Sequence, residues 1–257
     1  MRPWYSKAIL PTFVGLAYLF LYIPIIVLVV LSFNAVALNL GWQGFSLQWY
    51  YELFTSAEIW QALTNSLVVA FCAVALSLLM SVVLVCYGSP LLHSIRWFFY
   101  GTLIVPEVVL AVSLLSVFSF LSIPLGLTTL IVSHVLLGLG YTVPIVYARY
   151  ISLDNRLLEA SLDLGATPTQ TFFKITLPLL APALLASSLL VFIISLDDFI
   201  LSFFCSGATA QTLPMFIFSV IRSGSSPVVN ALSTVMLMIS SVLVFIFCAL
   251  QARTRIL

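Results

Sequence analysis

The sequence predicts an all-α, polytopic membrane protein of about six transmembrane helices, because it is strongly apolar and its apolar residues fall in long runs. Of 257 residues, 63% are hydrophobic and 7% are charged. A typical soluble domain carries about 25% charged residues, so lipid is the expected solvent. Unpaired backbone groups are costly in lipid, and the runs are continuous rather than alternating, which favours helices over the strands of a barrel.

Apolar runs of about 18 residues or more, the length that crosses a bilayer as a helix, define the predicted spans. They lie near residues 10–32, 62–87, 97–120, 127–148, 183–204 and 229–250. The segment 149–182 is more polar and is predicted to be a loop, within a single transmembrane domain of residues 1–257. Arg2 and Lys7 precede the first run, as in a signal peptide, but its apolar core is too long for one. We therefore expect a retained first helix.

The basic residues are distributed asymmetrically between the two sides of the predicted bundle. Only Arg222 of the nine Lys and Arg residues falls on one side. The others lie at the termini or in the second and fourth connecting segments, which share the opposite side: Arg2, Lys7, Arg96, Arg149, Arg156, Lys174, Arg253 and Arg255. Because cytoplasmic segments are enriched in Lys and Arg, both termini are expected in the cytoplasm.

The segment 33–61, on the side opposite to the termini, is rich in aromatic residues and has no Lys or Arg. Two interpretations of its Trp42 and Trp49 are open. They belong to the aromatic belt that membrane proteins place at the lipid–water interface, or they guide a cation through cation–π contacts. The belt is the default interpretation.

Several functional classes are disfavoured by composition and motifs. A net charge of +1 without a basic cluster argues against nucleic acid as a partner. No Gly-x-x-x-x-Gly-Lys-[Ser/Thr] motif is present, so the chain is not expected to hold ATP phosphates or to be an enzyme in its own right. No metal-binding motif appears either, and the four cysteines are expected to be packing residues. We therefore expect no cofactor and no metal in this chain.

Three acidic residues lie within the predicted spans, Glu107 in the third and Asp197 with Asp198 in the fifth. A carboxylate at the centre of a bilayer costs about 2.5 to 3.5 kcal/mol, so such residues usually face a pathway. On an ideal helix Asp198 shares a polar stripe with four serines of the fifth span: Ser187, Ser188, Ser195 and Ser202. Asp197 lies a quarter turn away from this stripe. Acids without basic partners favour a cation, such as an amine or polyamine. The alternative is that the acids join neighbouring helices.

His134 lies in the fourth predicted span, where an ionisable side chain is unusual. The sequence identifies no acidic partner for it. A hydrogen-bonded packing role is therefore preferred.

The segment between the fourth and fifth spans has a specific spacing: Glu159-Ala160-Ser161, three residues, Gly165, nine residues, then Ile175-Thr176-Leu177-Pro178. This resembles the EAA loop of the membrane subunits of bacterial ABC importers, with Ser161 replacing the second Ala. The residues predict a short amphipathic helix near 153–164, a turn at Gly165, and prolines at 178 and 182 that limit helix continuation. The alternative is an ordinary cytoplasmic loop with a capped helix.

The EAA resemblance implies a coupling helix that sits in a cleft of an ATPase subunit. It implies ATPase-coupling roles for Glu159, Ala160, Ser161, Gly165, Leu177 and Pro178. Further segments between the first and sixth spans resemble spermidine/putrescine ABC importer permeases, among them Trp42-Gln43-Gly44-Phe45, Ser195-Leu196-Asp197-Asp198-Phe199 and Thr212-Leu213-Pro214. One departure is Glu107, where the family pattern has Asp.

These resemblances imply a type I ABC importer permease fold in the bacterial inner membrane, with this chain and a second, similar permease forming the pathway. Two ATP-binding cassette subunits would bind ATP and Mg, and an extracytoplasmic polyamine-binding protein would deliver substrate. Substrate-pathway roles are implied for Asp197, Asp198, Ser195, Glu107, Trp49 and Trp42. The alternatives are an ABC permease for another small cation or metal, and an ion-coupled secondary transporter using Glu107 and Asp198.

Overall fold

The computed structural model describes residues 5–36, 41–87, 99, 101, 104–224 and 227–254. The α-helices among these residues are α1 (Tyr5–Leu31), α2 (Gln48–Thr55), α3 (Ala57–Cys86), α4 (Glu107–Phe120), α5 (Leu127–Ile151), α6 (Asn155–Asp163), α7 (Pro168–Thr171), α8 (Leu177–Asp197), α9 (Ile200–Cys205), α10 (Leu213–Ser223) and α11 (Pro227–Thr254). A π-helical turn, Phe172–Thr176, joins α7 to α8. The prediction of an all-α protein is confirmed.

The predicted spans coincide with helices. Four helical runs of the described residues are long and apolar enough to cross a membrane: Pro11–Leu31, Ala57–Cys86, Leu127–Ile151 and Pro168–Asp197. They match the first, second, fourth and fifth predicted spans. The third and sixth spans match α4 and α11. The segment after the fifth span contains one further helix, α10, which the apolar runs did not predict.

Two predicted spans are not continuous helices. In the third, Ile104 to Pro106 is not helical, and α4 begins only at Glu107. A proline disfavours helical geometry in the residue before it, which explains a start at this point. Most of the predicted residues before 104 lie outside the described part of the chain. In the fifth span, α8 ends at Asp197, and Asp198 has an extended backbone with φ −66° and ψ 123°.

The segment 149–182 is also more helical than predicted. It contains α6 and α7, and α8 already begins at Leu177, so Pro178 and Pro182 lie inside a helix rather than before one. Each proline removes one backbone donor, but neighbouring π-helical geometry and packing allow a membrane helix to continue through proline. The expectation that these prolines limit the helix is therefore wrong.

The chain forms two compact units, of which the first comprises residues 1–59 and 217–257. In this unit α1 and α2 pack against α11. The connection from α1 to α2 is organised by Asn34, whose Nδ2 donates to the Gly41 carbonyl at 3.0 Å and whose Oδ1 accepts from the Gln43 amide at 2.8 Å. These bonds give the connection a defined conformation before α2.

The second unit, residues 60–216, is built around α5. Two thirds of the most apolar 18-residue stretch of α5 is buried, against one third or less in the other three candidate spans. Its buried face packs with residues of α3 and α8 in one cluster: Ala73, Val85, Val135, Leu139, Val143, Val146, Leu180 and Val191. A second cluster joins Leu137 of α5 to Ala111 of α4 and Leu201 of α9. These apolar contacts hold α3, α4, α8 and α9 against α5.

Gly207, two residues after the end of α9, packs closely against the backbone of Leu125. It has φ +63°, and a Cβ atom there would lie 2.6 Å from the backbone oxygen of Leu125. We expect Gly207→Ala to destabilise the protein by about 1 to 3 kcal/mol, because the backbone must shift and a non-glycine residue strains at positive φ. Gly224→Ala is the matched control, since Gly224 has φ +112° but open space around a Cβ. The thermal unfolding temperature of the purified complex should fall clearly more for Gly207→Ala than for Gly224→Ala. Equal effects would contradict the close approach.

Candidate functional site

Asp198 lies at the interruption between α8 and α9, inside the fifth predicted span. Its carboxylate accepts hydrogen bonds from the backbone amides of Leu201 at 3.3 Å and Ser202 at 2.8 Å. A side-chain acceptor at this position satisfies amide groups that have no partner in the first turn of a helix. The side chain of Asp198 is buried. The acid therefore has a structural role in starting α9.

His134 of α5 contacts Asp198 directly. Its Nε2 lies 3.4 Å from Asp198 Oδ2, and its Nδ1 lies 2.8 Å from the hydroxyl of Ser195. The Ser202 hydroxyl also lies 3.4 Å from Nε2. The prediction that His134 is hydrogen-bonded is confirmed, and the structure gives it an acidic neighbour that the sequence did not identify. The partner lies on a separate helix, so only the packing of α5 on α8 and α9 reveals it.

Glu107 completes the cluster from α4. It stands in the first turn of that helix, is half-buried, and lies near the Asp198 carboxyl group. We call Glu107, His134, Ser195, Asp198 and Ser202 the acid–histidine cluster.

The remaining polar residues of the fifth span do not join this cluster. Asp197 is exposed at the last position of α8. The hydroxyls of Ser187 and Ser188 donate to carbonyl groups of their own helix, to Ala183 and Leu185 respectively. The predicted continuous stripe is therefore wrong, because the helix ends before Asp198. Ser195, Asp198 and Ser202 meet instead at His134.

Trp42 and Trp49 belong to the first unit. The indole N–H of Trp49 donates to the Asn34 carbonyl at 2.7 Å, so this ring is fixed to the connection between α1 and α2. The Trp42 side chain is 55% exposed. One face of an exposed indole is available to lipid headgroups or to a cation, so the cation–π role of Trp42 stays a prediction.

The EAA segment forms a compact turn between α6 and α7. Asp154 caps α6 by accepting from the Arg156 amide at 3.0 Å. After α6, Gly165 has φ +86°, the Gly165 amide donates to Leu162, and the Ala166 amide donates to Ser161. These two bonds and the positive φ define a Schellman motif, which explains why glycine occupies position 165.

Ser161, the departure from the EAA pattern, has a partner of its own. Its hydroxyl lies 2.9 Å from the Thr171 hydroxyl, and both residues are buried. The contact ties α6 to α7. Glu159 and Ala160 are exposed on α6, whereas Leu177 and Pro178 lie at the start of α8. The structure thus places the predicted coupling residues on α6, in the turn after it, and at the start of α8.

Sequence reasoning treated one residue of the cluster, His134, as packing. The signal that identifies it is the rarity of an ionisable side chain inside an apolar run, which marks a functional position even without a visible partner. Thr171 was missed for a different reason. A hydroxyl pair such as Ser161 and Thr171 has no sequence pattern.

Comparisons with known proteins identify the family. Residues 73–255 match the family described as "Binding-protein-dependent transport system inner membrane component". The chain is 39% identical to the spermidine/putrescine transport system permease protein PotC of Haemophilus influenzae over 236 residues, which cover 90% of this chain and 92% of that protein. It is 38% identical to PotC of Escherichia coli K12, with 90% and 89% coverage. It is 37% identical to the putrescine transport system permease protein PotI of the same organism, with 93% and 89% coverage.

A solved structure supports the fold. A chain of a bacterial ABC transporter involved in the import of the acidic polysaccharide alginate aligns with a TM-score of 0.73 at 15% identity, covering 95% of both chains. At this identity the likeness bears on the fold alone. The family match spans more than half of the chain, and the curated relatives are transport components rather than enzymes. This chain therefore belongs to the family of binding-protein-dependent transport system inner membrane components, as a permease subunit of an ABC importer.

Proposed function

We propose that this permease imports polyamines, spermidine, putrescine or both, through a pathway that it forms with a second permease subunit. Two observations support the proposal. The relatives PotC and PotI, at 37 to 39% identity, are named for these substrates. The acids Glu107, Asp197 and Asp198 lie in the predicted spans, in which the sequence has no Lys or Arg. Carboxylates and hydroxyls are suitable partners for ammonium groups.

The exposure of the three acids differs, and this assigns them different roles. Asp197 is exposed, and Glu107 is half-exposed. Both are therefore direct candidates to bind an ammonium group. Asp198 is enclosed by the acid–histidine cluster, so it reaches substrate only when that cluster opens. A metal ion as the alternative substrate would need several converging ligands, and no group of three or more His, Cys, Asp or Glu side chains suitable for a metal occurs among the described residues.

The EAA segment supports the proposed coupling to ATP hydrolysis. α6 and its C-terminal turn carry large apolar side chains that are 48% to 89% exposed: Leu157, Leu162 and Leu164. Exposed leucines beside the exposed Glu159 suit the docking of α6 into a groove on a partner protein. We assign this partner as an ATP-binding cassette subunit, which binds the ATP and Mg. Two such subunits, and an extracytoplasmic binding protein on the other side, complete the proposed importer.

The orientation follows from the basic residues. Arg149, Arg156 and Lys174 lie beside or within the EAA segment, which supports a cytoplasmic location for this segment and for both termini. ATP-driven closure of the two ATPase subunits then shifts the permease between inward-facing and outward-facing states. Substrate released by the binding protein enters the outward-facing state and reaches the acids.

The substrate assignment is tested by uptake of labelled spermidine and putrescine in cells that lack other polyamine uptake and express the complete importer. We expect Asp197→Asn, Glu107→Gln and Asp198→Asn each to lower uptake by about tenfold or more, the value of one hydrogen bond to a charged group. Asp197→Asn is the cleanest of the three, because Asp197 is exposed whereas Asp198 also caps α9.

Glu58→Gln is the matched control, an exposed acid in the first turn of α3. It should transport normally. Normal uptake by all three span variants, in complexes that assemble, would show that these acids are structural. Uptake that persists when ion gradients are dissipated and ATP is present would exclude the ion-coupled alternative, and uptake that stops would favour it.

The coupling assignment is tested at Gly165. A Cβ at this position meets nothing within 4 Å, so the effect of a substitution comes from the backbone at φ +86°. Gly165→Val should cost about 1 to 3 kcal/mol and distort the turn, whereas Gly165→Asn should be tolerated because Asn adopts positive φ more readily. We expect the valine variant to insert normally but to lose co-purifying ATPase or substrate-stimulated ATP hydrolysis. Wild-type association and hydrolysis in Gly165→Val would exclude this turn as the coupling element.

A further inference from the structure

We infer that His134 is the positioning residue for Asp198, so that the imidazole determines where this carboxylate stands relative to an incoming ammonium group. The inference rests on the proposed function, because it assigns a part in cation import to a residue that does not itself contact the cation. It is carried by the contacts of the His134 ring, by its burial, and by the interruption of the fifth span at Asp198.

One tautomer of the imidazole suits all of its close contacts. With the proton on Nε2, the N–H lies 3.4 Å from both Asp198 Oδ2 and the Ser202 hydroxyl, and Nδ1 accepts from the Ser195 hydroxyl at 2.8 Å. The ring thus connects the last turn of α8 to the residue that follows this helix. Ser195 orients the ring, and the ring orients the carboxylate.

The backbone at Asp198 explains why a positioning residue is needed. The residue is not in a helix, since α8 ends at Asp197 and α9 begins at Ile200. Its side-chain direction is therefore not set by a regular helix on its own chain segment. The amides of Leu201 and Ser202 hold the carboxylate from one side. His134, on α5, holds it from another.

The other groups around Asp198 do not replace His134. Glu107 faces the carboxylate from α4 and is itself acidic. The thiol of Cys205, on α9, is buried and carries no positive charge. Asp197, the neighbour on α8, is exposed and is itself an acid. Of these groups His134 alone is both a neutral N–H hydrogen-bond donor and fully buried, with 1% of the residue exposed.

A pair of substitutions separates the donor from the rest of the ring. In His134→Gln the terminal amide reaches about as far as Nε2 and keeps a donor for Asp198. In His134→Asn the amide reaches only about as far as Nδ1, so the donor is lost while a neutral polar group remains. We expect His134→Asn to lower spermidine and putrescine uptake by about tenfold and His134→Gln by about threefold or less.

A double-mutant cycle with Asp198→Asn tests whether His134 acts through the acid. In complete importers reconstituted into vesicles with loaded binding protein, His134→Asn should change uptake less than about twofold when Asp198 is already Asn. Thr142→Val is the matched control, because Thr142 is buried on the same helix and donates to the Ser77 carbonyl away from the cluster. It should leave uptake and the cycle unchanged.

A purely structural role for His134 predicts another result. His134→Asn would then lower uptake by the same factor in both backgrounds, and His134→Gln would share the defect. Either result, in complexes that assemble with normal thermal stability, would overturn the inference while the wild-type importer still carries polyamines.

Failure of the proposed substrate is recognised separately. If the wild-type importer takes up neither spermidine nor putrescine, the proposed function fails. The contact between His134 and Asp198 is then tested by nitrogen NMR of the imidazole. In complexes labelled with ¹⁵N-histidine, the signals lost in His134→Asn belong to His134. A shift of these signals in Asp198→Asn, but not in Glu58→Gln, would support the positioning contact. Unshifted signals would overturn it.

Discussion

Backbone amides and carbonyls that leave a helix inside a membrane must find partners within the protein, because lipid offers none. Asp198 meets this constraint at the interruption of the fifth span, where its carboxylate takes the amides that start α9. The same side chain lies 3.4 Å from His134 of α5, since a buried polar group needs partners within the protein. The arrangement of Glu107, His134 and Ser195 around one position follows from this requirement.

The positions of the spans were predictable because lipid imposes a simple pattern. Continuous apolar runs gave the four long spans, and the helices at Ala57–Cys86 and Leu127–Ile151 differ from the predicted bounds by a few residues. The interruption at Asp198 was not predictable, because the apolar run continues past it to Phe203 and Phe204. Its cause is a set of tertiary contacts, and the periodicity of one segment carries no information about the helix that packs against it.

The acid–histidine cluster was predictable in composition and not in geometry. Glu107, Ser195 and Asp198 were identified because charged and hydroxyl side chains are unusual within apolar runs. Their meeting with His134 depends on how α4, α5 and α8 are rotated about their axes. In the EAA segment the geometry at Gly165 was predictable, since a glycine after a short amphipathic helix is the sequence signature of the turn that the structure forms. Ser161 shows the limit again, as its partner Thr171 lies in the next helix.

The helical run Pro168–Asp197 gives the protein a lever. It comprises 30 residues, so its length is about 45 Å at 1.5 Å per residue. A tilt of about 5° about its first residue therefore displaces its last residue by about 4 Å, more than the length of a hydrogen bond. The run begins shortly after the turn at Gly165, and its last residue leads directly into Asp198. The π-helical turn Phe172–Thr176 lies within this run. With the coupling role proposed for the EAA segment, a rotation of a few degrees at one end of the run is therefore enough to separate a hydrogen-bonded pair at the other end.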